Sequence, residues 1–310
     1  MEQNFTSGFK SIFDLLKAFP DEQTCINHLE ALRWNGVVVS PFDESSKVYK
    51  SKNNRYKCSK TNKYFNVRTA TIFDNTKLPL QKWFMALYIF SSHKKGISSH
   101  QLAKDISITQ KSAWFVLHRL RYAFDHPAYK KALENITEVD ESFFGGDEGN
   151  KHASKKVKGT QGRSTKTKKP VLGMLERGGH IIAQVVQDTK QSTIEPIVLN
   201  NVTLDASIMT DEWHGYKGLI NYYNHQTVNH KANQYVNGLA HTNGLENFWS
   251  QMKRGVDGIY HSISWKHLQA YVDEFALRYN TRKNETANRF DLILKNVTGK
   301  RLTYNTLINK

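Results

Sequence analysis

The pattern of apolar and polar positions predicts helices early in the chain and a mixed α/β arrangement later. Apolar residues recur at helical spacing between residues 8 and 34, and Pro20 divides that stretch into two segments. Residues 36–73 carry short β-type runs separated by turns, and residues 78–124 return to helical spacing. After Pro127, strand-like and helix-like segments alternate, which is typical of a mixed sheet with helices packed on it.

The β-type runs predict a small module that has little core of its own. Its expected strands are Val37–Val39, Lys47–Lys50, Arg55–Cys58 and Tyr64–Val67. We expect the module to be held together by its apolar and aromatic side chains, namely Val37, Val39, Tyr49, Tyr56, Tyr64 and Phe65.

The helical stretch from Ser98 to Phe124 has the pattern of a helix-turn-helix. A short helix with Leu102 and Ile106 facing inward is followed by a turn and a longer helix. The longer helix carries four basic or titratable residues: Lys111, His118, Arg119 and Arg121. Two interpretations stand: a recognition helix for a DNA groove, or an ordinary helical hairpin with a solvated basic face.

The charge of the chain favours the DNA interpretation. The 310 residues carry a formal net charge of +16, and such an excess of Lys and Arg points to a polyanionic partner. Residues 151–169 contain eight Lys or Arg residues and no acid, which predicts either a DNA-contacting loop or a solvated linker. We favour the loop and expect Lys155, Lys156 and Lys158 to contact DNA.

Other bulk features exclude several classes of protein. The first residues lack the apolar core of a signal peptide, and no apolar run is long enough to span a membrane. Two cysteines are too few for a disulfide framework and fit a reducing cytoplasm. We therefore expect a cytoplasmic protein without a membrane partner.

Three acids are candidates for catalysis. Asp140 lies within a predicted strand, where a central carboxylate is costly unless it is paired or metal-bound. Asp211 follows another apolar strand. Glu246 lies on a helix whose apolar stripe is flanked by Glu246 and Lys253. For the two aspartates the ordinary alternative is a surface acid, and for Glu246 it is a capping box with Asn243 as N-cap.

The segments EVDESFFGG, IMTDEWHGY and HTNGLENFWSQMKRG occur in this order, with CINHLEALRWNG and TATIFDNTKLPLQKWF before them. Together they resemble the ISXO2-like group of bacterial DDE insertion-sequence transposases, and the resemblance covers nearly the whole chain. It implies a ribonuclease H-like catalytic fold and a catalytic, metal-binding triad of Asp140, Asp211 and Glu246. Three such acids hold two Mg²⁺ or Mn²⁺ ions for phosphoryl transfer.

The resemblance also implies roles for residues near the glutamate. Lys253 and the adjacent Arg254 are expected to contact DNA close to the cleaved phosphate, and His241 and Asn243 to support the site. The implied partners are double-stranded DNA at the transposon ends and at the target. The implied assembly is a homodimer or larger complex formed on DNA, associated with the bacterial nucleoid.

One departure from the family's pattern concerns zinc. Relatives carry a zinc ribbon built from two paired-cysteine knuckles, whereas here the first knuckle reads Ser40-Pro41-Phe42-Asp43 and the second Cys58-Ser59-Lys60-Thr61. One thiol and one carboxylate cannot complete a structural zinc site, which needs four good ligands. We therefore expect a ribbon-like module without zinc.

These interpretations divide the chain into five parts. The expected order is an N-terminal helical segment (1–35), a degenerate zinc-ribbon-like module (36–77), a helix-turn-helix DNA-binding region (78–126), a ribonuclease H-like catalytic domain (127–290) with a basic insertion (147–170), and a C-terminal tail (291–310). The leading hypothesis is a transposase that cleaves element ends and joins them to target DNA. The alternatives are a non-cleaving DNA-binding derivative and a related hydrolase that stops at cleavage.

Overall fold

The computed structural model describes residues 8–124, 131–146, 152–157, 164–228 and 241–309. Within these ranges, ten α-helices and eight β-strands follow one another along the chain. In chain order they are α1 (Ile12–Ala18), α2 (Glu22–Trp34), β1 (Val48–Lys50), β2 (Tyr56–Cys58), β3 (Tyr64–Phe65), α3 (Leu80–Ser92), α4 (Ser99–Asp105), α5 (Gln110–Phe124), β4 (Ile136–Phe144), β5 (Lys169–Glu176), β6 (Ile181–Val185), α6 (Gln191–Asn201), β7 (Ser207–Asp211), β8 (Asn224–Val228), α7 (Asn243–Gly255), α8 (Leu268–Asn280), α9 (Thr286–Lys295) and α10 (Tyr304–Asn309).

The chain forms two compact units. The first unites Met1–His126 with Lys283–Lys310, and the second is Pro127–Arg282. The C-terminal residues therefore pack with the N-terminal helices, whereas the sequence pattern had assigned residues 283–290 to the catalytic domain and 291–310 to a separate tail. No helix among the described residues is both long and apolar enough to cross a membrane.

An aromatic cluster forms the centre of the first unit. Phe290 of α9 is fully buried, and its ring contacts Phe9 and Phe84 edge-on, each with 5.2 Å between the ring centroids. Phe19, just after α1, packs on Phe84 at 4.9 Å. These contacts join residues that are far apart along the chain, such as Phe9 and Phe290, and sequence periodicity carries no information about such pairs.

The small β-module is a three-stranded antiparallel sheet in the order β1-β2-β3. Of the side chains expected to hold it together, only Tyr56 and Phe65 are buried; Val37, Val39, Tyr49 and Tyr64 are exposed. The predicted strand Val37–Val39 is absent, because these residues follow the left-handed turn at Asn35 and Gly36 that ends α2 and do not pair with the sheet.

Hydroxyl groups surround Cys58 at the position of the degenerate knuckles. Its Sγ lies 3.2 Å from the hydroxyl of Ser46. Burial would raise the pKa of this thiol, but hydrogen bonds with Ser40, Ser46 and Thr61 outweigh that effect and bring it to about 6. Asp43 instead forms an ion pair with Lys60, 3.3 Å away. The absence of zinc stays a prediction, which metal analysis of the purified protein can test.

Two predicted DNA contacts on α5 are wrong. Arg119 and Arg121 are 5% and 1% exposed. The guanidinium of Arg119 donates to the carbonyl oxygens of Leu302 and Ile72, at 3.0 and 2.9 Å. Arg121 lies with its guanidinium 6.0 Å from the Phe90 ring centroid. Helical spacing had placed both arginines on a solvated face, but tertiary packing covers that face.

A five-stranded mixed sheet in the order β6-β5-β4-β7-β8 is the framework of the second unit. β4 pairs antiparallel with β5, and β5 with β6, whereas β4 and β7, and β7 and β8, run parallel. The hairpin between β5 and β6 turns at Gly178, whose φ of 73° lies in the left-handed region that glycine tolerates.

Helices pack on both faces of this sheet. Ile194 and Val198 of α6 share one apolar cluster with Val139 and Leu172 of the sheet. On the opposite face, α7 and α8 form a second apolar cluster with the sheet, whose buried members include Val171, Leu175, Leu245, Trp249, Met252 and Val272. Because side chains alternate along a strand, even-numbered residues of β4 such as Asp140 face α7.

Candidate active site

Two of the predicted catalytic acids lie on neighbouring strands. Asp140 is the central residue of β4, and Asp211 is the last residue of β7. The parallel register pairs Glu138 with Met209, so two residues further along it brings Asp140 level with Asp211. Paired residues of parallel strands point to the same face, and both carboxylates therefore lie on the α7 side of the sheet.

The environment of Asp140 disfavours its ionised form. Burial, followed by the negative charges of Glu141 and Asp211, raises the pKa of Asp140 to about 7. The indole Nε1 of Trp249 on α7 donates to a carboxylate oxygen of Asp140 over 3.1 Å. Two carboxylates in one partly covered site repel each other when both are ionised, and a bound divalent cation would offset this repulsion.

Glu246 lies on α7, and the capping alternative for it is wrong. The helix begins at Asn243 with Thr242 as its N-cap, and no side chain caps the helix from that position. Glu246 is exposed, three residues before Trp249. Residues three apart on a helix are neighbours on its surface, so Glu246 lies one turn from the side chain that contacts Asp140.

The described residues do not yet form a complete metal site. Within the ranges of the chain that the structure describes, no three His, Cys, Asp or Glu side chains are grouped closely enough to hold a metal ion. The donor set of Asp140 and Asp211, two carboxylates without a sulfur or imidazole, fits a hard cation such as Mg²⁺ or Mn²⁺. Glu246 would have to move its side chain to join them.

A further acid, on the same strand as Asp140, was missed as a functional candidate. Glu138 is 1% exposed, and one of its oxygens accepts a hydrogen bond from the backbone N–H of Leu245, 3.0 Å away. Its other oxygen accepts from Nε of Arg177 at 2.9 Å and lies 3.2 Å from Nδ1 of His241. We call Glu138, Arg177, His241 and the Leu245 amide the Glu138 cluster. The sequence signal was a glutamate on the same strand face as Asp140.

Another buried acid of β4 lies on the opposite face of the sheet. Glu141 is buried and accepts a hydrogen bond from the hydroxyl of Tyr216, a side chain that is only 1% exposed. Burial, and then the charges of Glu141 and Asp140, raise the pKa of the Tyr216 hydroxyl well above its ordinary value. Tyr216 therefore stays protonated and able to donate to Glu141.

The predicted DNA contacts fall into three groups. Lys253 and Arg254 are exposed in the last turn of α7, and Lys253 lines a cavity of about 860 Å³ with Trp265 and Phe143. Lys111 is exposed at the start of α5, with its Nζ 5.0 Å from the Tyr304 ring centroid. Lys156 is exposed, only the backbone of Lys155 is described, and Lys158 lies outside the described residues.

The supporting residues also have definite positions. His241 is half-buried and belongs to the Glu138 cluster, and its carbonyl oxygen accepts a hydrogen bond from Arg177 over 2.9 Å. Asn243 is exposed and is the first residue of α7. His241 thus contacts a buried acid beside the aspartate pair, whereas Asn243 lies where the helix begins.

The second unit is thus a mixed-sheet α/β domain in which two strand carboxylates face one helix. Residues 132–280, nearly all of the second unit, match the family model described as the ISXO2-like transposase domain. These residues are therefore similar to the transposase domain of that family, and the match covers slightly less than half of the chain.

Two curated proteins resemble the chain. A protein in the transposable element ISH50 of Halobacterium salinarum is 27% identical over 278 residues, covering 85% of this chain and 92% of that protein. A transposase-like protein of Haemophilus influenzae is 26% identical over 116 residues, covering 37% of this chain and 91% of that protein.

Among solved structures, the chain is similar to the transposase of two Mos1 complexes. The pre-cleavage transpososome shares 11% identity at a TM-score of 0.28, with 68% of this chain and 77% of that chain covered. The strand transfer complex shares 12% identity at a TM-score of 0.29, with 68% and 76% covered. We assign no residue roles from similarities at this level.

Proposed function

We propose that the chain is a DNA transposase that binds the terminal inverted repeats of an insertion sequence, cleaves at the element ends and joins the 3′-hydroxyl ends to target DNA. The observation that carries the proposal is the placement of Asp140 beside Asp211, facing the helix of Glu246, within an ISXO2-like domain. In this proposal the second unit has the ribonuclease H-like fold of a catalytic domain.

The proposed chemistry needs two divalent ions, which Asp140, Asp211 and Glu246 would hold. When bound, Mg²⁺ or Mn²⁺ activates the attacking oxygen and stabilises the leaving oxygen of an in-line displacement at phosphorus. The protein supplies the carboxylates, orients Asp140 through the indole of Trp249 and keeps that side of the site partly dry. Glu246 is exposed on α7, the helix that also carries Trp249.

Basic residues on both units would bind the DNA. In the second unit Lys253 and Arg254 follow Glu246 by two turns of α7, a suitable position for phosphates next to the cleaved bond. Lys111 in the first unit and Lys155, Lys156 and Lys158 of the basic insertion would neutralise further phosphates. Because two ends must be brought together before joining, we expect a homodimer or larger assembly on DNA, in the bacterial cytoplasm.

An assay on duplex DNA carrying the element's terminal repeats tests this function. Asp140→Asn, Asp211→Asn and Glu246→Gln should each lower Mg²⁺- or Mn²⁺-dependent cleavage by on the order of 10³-fold, with DNA affinity retained. Asp205→Asn, an exposed acid just before β7, serves as the matched control and should cleave like the unmodified chain. Joining of the cut 3′ end to a second duplex separates a transposase from a hydrolase.

One observation favours a second candidate, a non-cleaving DNA-binding protein. Glu246 is exposed, and the described residues hold no group of three metal ligands. The same assay decides between the two candidates. Tight binding of the terminal repeats without metal-dependent cleavage, in both Mg²⁺ and Mn²⁺, would favour the binding protein and remove the enzyme hypothesis.

A further inference from the structure

The Glu138 cluster lies between the strand that carries Asp140 and the helix that carries Glu246. Glu138 and Asp140 are two residues apart on β4, so both side chains face α7. We propose that Glu138 is a positioning residue, which fixes the start of α7 against β4 and thereby sets the place of Glu246 relative to Asp140. This inference rests on the proposed function and deepens it.

One carboxylate oxygen of Glu138 acts as the cap of α7. It accepts the backbone N–H of Leu245, the third residue of the helix, over 3.0 Å. The third N–H of a helix is normally satisfied by the N-cap side chain, and Thr242 makes no such bond. A buried negative charge at a helix N-terminus is also favoured by the helix dipole. The first turn of α7 is thus capped by Glu138 of β4 and not by a side chain next to the helix in sequence.

The other carboxylate oxygen of Glu138 holds the residues that precede α7. Nε of Arg177 donates to it over 2.9 Å, and the Arg177 guanidinium also donates to the carbonyl oxygen of His241 at 2.9 Å. Nδ1 of His241 lies 3.2 Å from the same carboxylate oxygen. Arg177 therefore bonds both the acid and the backbone of the segment that leads into α7. The start of the helix is held from two directions.

The start of α7 approaches the sheet closely. A Cβ on Gly244, the second residue of α7, would lie 2.8 Å from the bonded Glu138 oxygen and 2.5 Å from Cδ2 of Leu175. Both distances are shorter than real Cβ contacts, so a larger residue at this position would have to displace the ends of these two side chains. Glycine therefore lets the helix start lie this close to Glu138 without moving its carboxylate.

Glu246 lies between two residues that are hydrogen-bonded to β4. Leu245, directly before it, is bonded to Glu138, and Trp249, three residues after it, is bonded to Asp140. The main chain around Glu246 is thereby held to β4 at both ends of one helical turn, although its side chain is exposed. For a metal-ligating glutamate, a displacement of about 1 Å is expected to cost about 10²-fold in rate.

A purely structural role is the competing explanation, since a buried Glu–Arg pair is costly to break wherever it lies. The second unit offers a matched control for it. Glu274 on α8 is fully buried, pairs with Arg278 over 2.7 Å and accepts a hydrogen bond from the hydroxyl of Tyr260, which lies beyond the C-terminal end of α7. Glu138→Gln and Glu274→Gln therefore each break a buried Glu–Arg pair, but only the first loosens the start of α7.

The experiment compares these two variants of the full chain, at a temperature where both are folded. Hydrogen exchange of the amides of α7 is measured without metal, Mn²⁺ affinity is measured by calorimetry, and single-turnover cleavage is measured on the terminal-repeat duplex. We expect Glu138→Gln to speed exchange at Leu245, to weaken Mn²⁺ binding about tenfold and to slow cleavage by about 10–10²-fold, with DNA affinity unchanged. Glu274→Gln should leave all three readouts close to those of the unmodified chain.

Two results would overturn the inference. One is unchanged exchange at the first turn of α7, or unchanged Mn²⁺ affinity, in Glu138→Gln. The other is an equal effect of Glu274→Gln, which would reduce Glu138 to a stabilising residue. If the unmodified chain binds Mn²⁺ but does not cleave, the proposed function fails, while exchange and Mn²⁺ affinity still decide whether Glu138 positions α7.

Discussion

Asp140 occupies a position that is unfavourable for a carboxylate in the absence of a cation. Burial and the charges of Glu141 and Asp211 raise its pKa to about 7, although the indole of Trp249 donates a hydrogen bond to one of its oxygens. Proteins keep such unfavourable groups where function requires them, at a cost in stability. The cost should be measurable in the metal-free chain.

We expect Asp140→Asn to stabilise the metal-free chain at high pH. A carboxyl whose pKa is raised on folding binds more protons in the folded state than in the unfolded state. The free energy of unfolding therefore falls as the pH rises from the ordinary pKa of an aspartate to the folded-state pKa of about 7. Asparagine keeps an oxygen for Trp249 and has no charge. Thermal unfolding should give equal midpoints near pH 4 and a higher midpoint for the variant at pH 8. Equal midpoints at both pH values would contradict the assigned cause.

At the scale of one element, α5 separates two kinds of basic residue that share a helix. Arg119 is buried, and burial lowers its pKa to about 10, which still leaves it charged at neutral pH. Its guanidinium lies 4.4 Å from the Phe115 ring centroid and bonds two backbone carbonyls. Lys111, at the start of the same helix, is exposed. One arginine therefore stabilises the unit, and the lysine remains a candidate DNA contact.

Alanine variants should separate the two roles. Arg119→Ala removes donors from the buried carbonyls of Leu302 and Ile72 and should lower the free energy of unfolding by about 2–4 kcal/mol. Lys111→Ala should leave the unfolding midpoint unchanged and weaken DNA binding. The salt dependence of the binding constant should fall by the amount expected for the loss of about one phosphate contact. The measurements are thermal unfolding and DNA titration at several salt concentrations. Unaltered DNA affinity in Lys111→Ala would contradict a DNA contact by this end of α5.

At the scale of the whole molecule, the end of the chain completes the unit formed by its beginning. α9 brings the fully buried Phe290 against Phe9, Phe19 and Phe84, and the ring of His28 on α2 pairs with Asp291 over 3.0 Å. The family domain, residues 132–280, is the intervening part of the chain. The first unit therefore becomes complete only after the second has been synthesised.

Phe290→Ala tests this organisation. Loss of a buried phenylalanine leaves a cavity in the first unit and should lower its stability by about 3–5 kcal/mol. Hydrogen exchange should become faster in α3 and α9, while β4 and β5 keep their protection, because Phe290 has no part in the apolar clusters of the sheet. Phe13→Ala, at an exposed position of α1, is the matched control and should change little. Equal loss of protection in β4 would contradict two separate cores.

The sequence alone predicted much of the local structure. The spacing of apolar residues predicted a strand around Asp140 and the apolar stripe of α7, because both follow from side-chain periodicity. Motif order suggested the family, and residues 132–280 match the model of its transposase domain. The choice of Asp140, Asp211 and Glu246 came from the same motifs and stays a prediction until variants are assayed.

Tertiary structure decided which faces are covered and which distant residues meet. The burial of Arg119 and Arg121 depends on the residues around Ile72 and Leu302, and the role of Glu138 depends on an arginine and a helix start 39 and 107 positions away. Periodicity describes one element at a time, so it assigns a face to a side chain without saying what packs on that face. Long-range packing makes that assignment, and it placed two aspartates together while leaving Glu246 on the surface of α7.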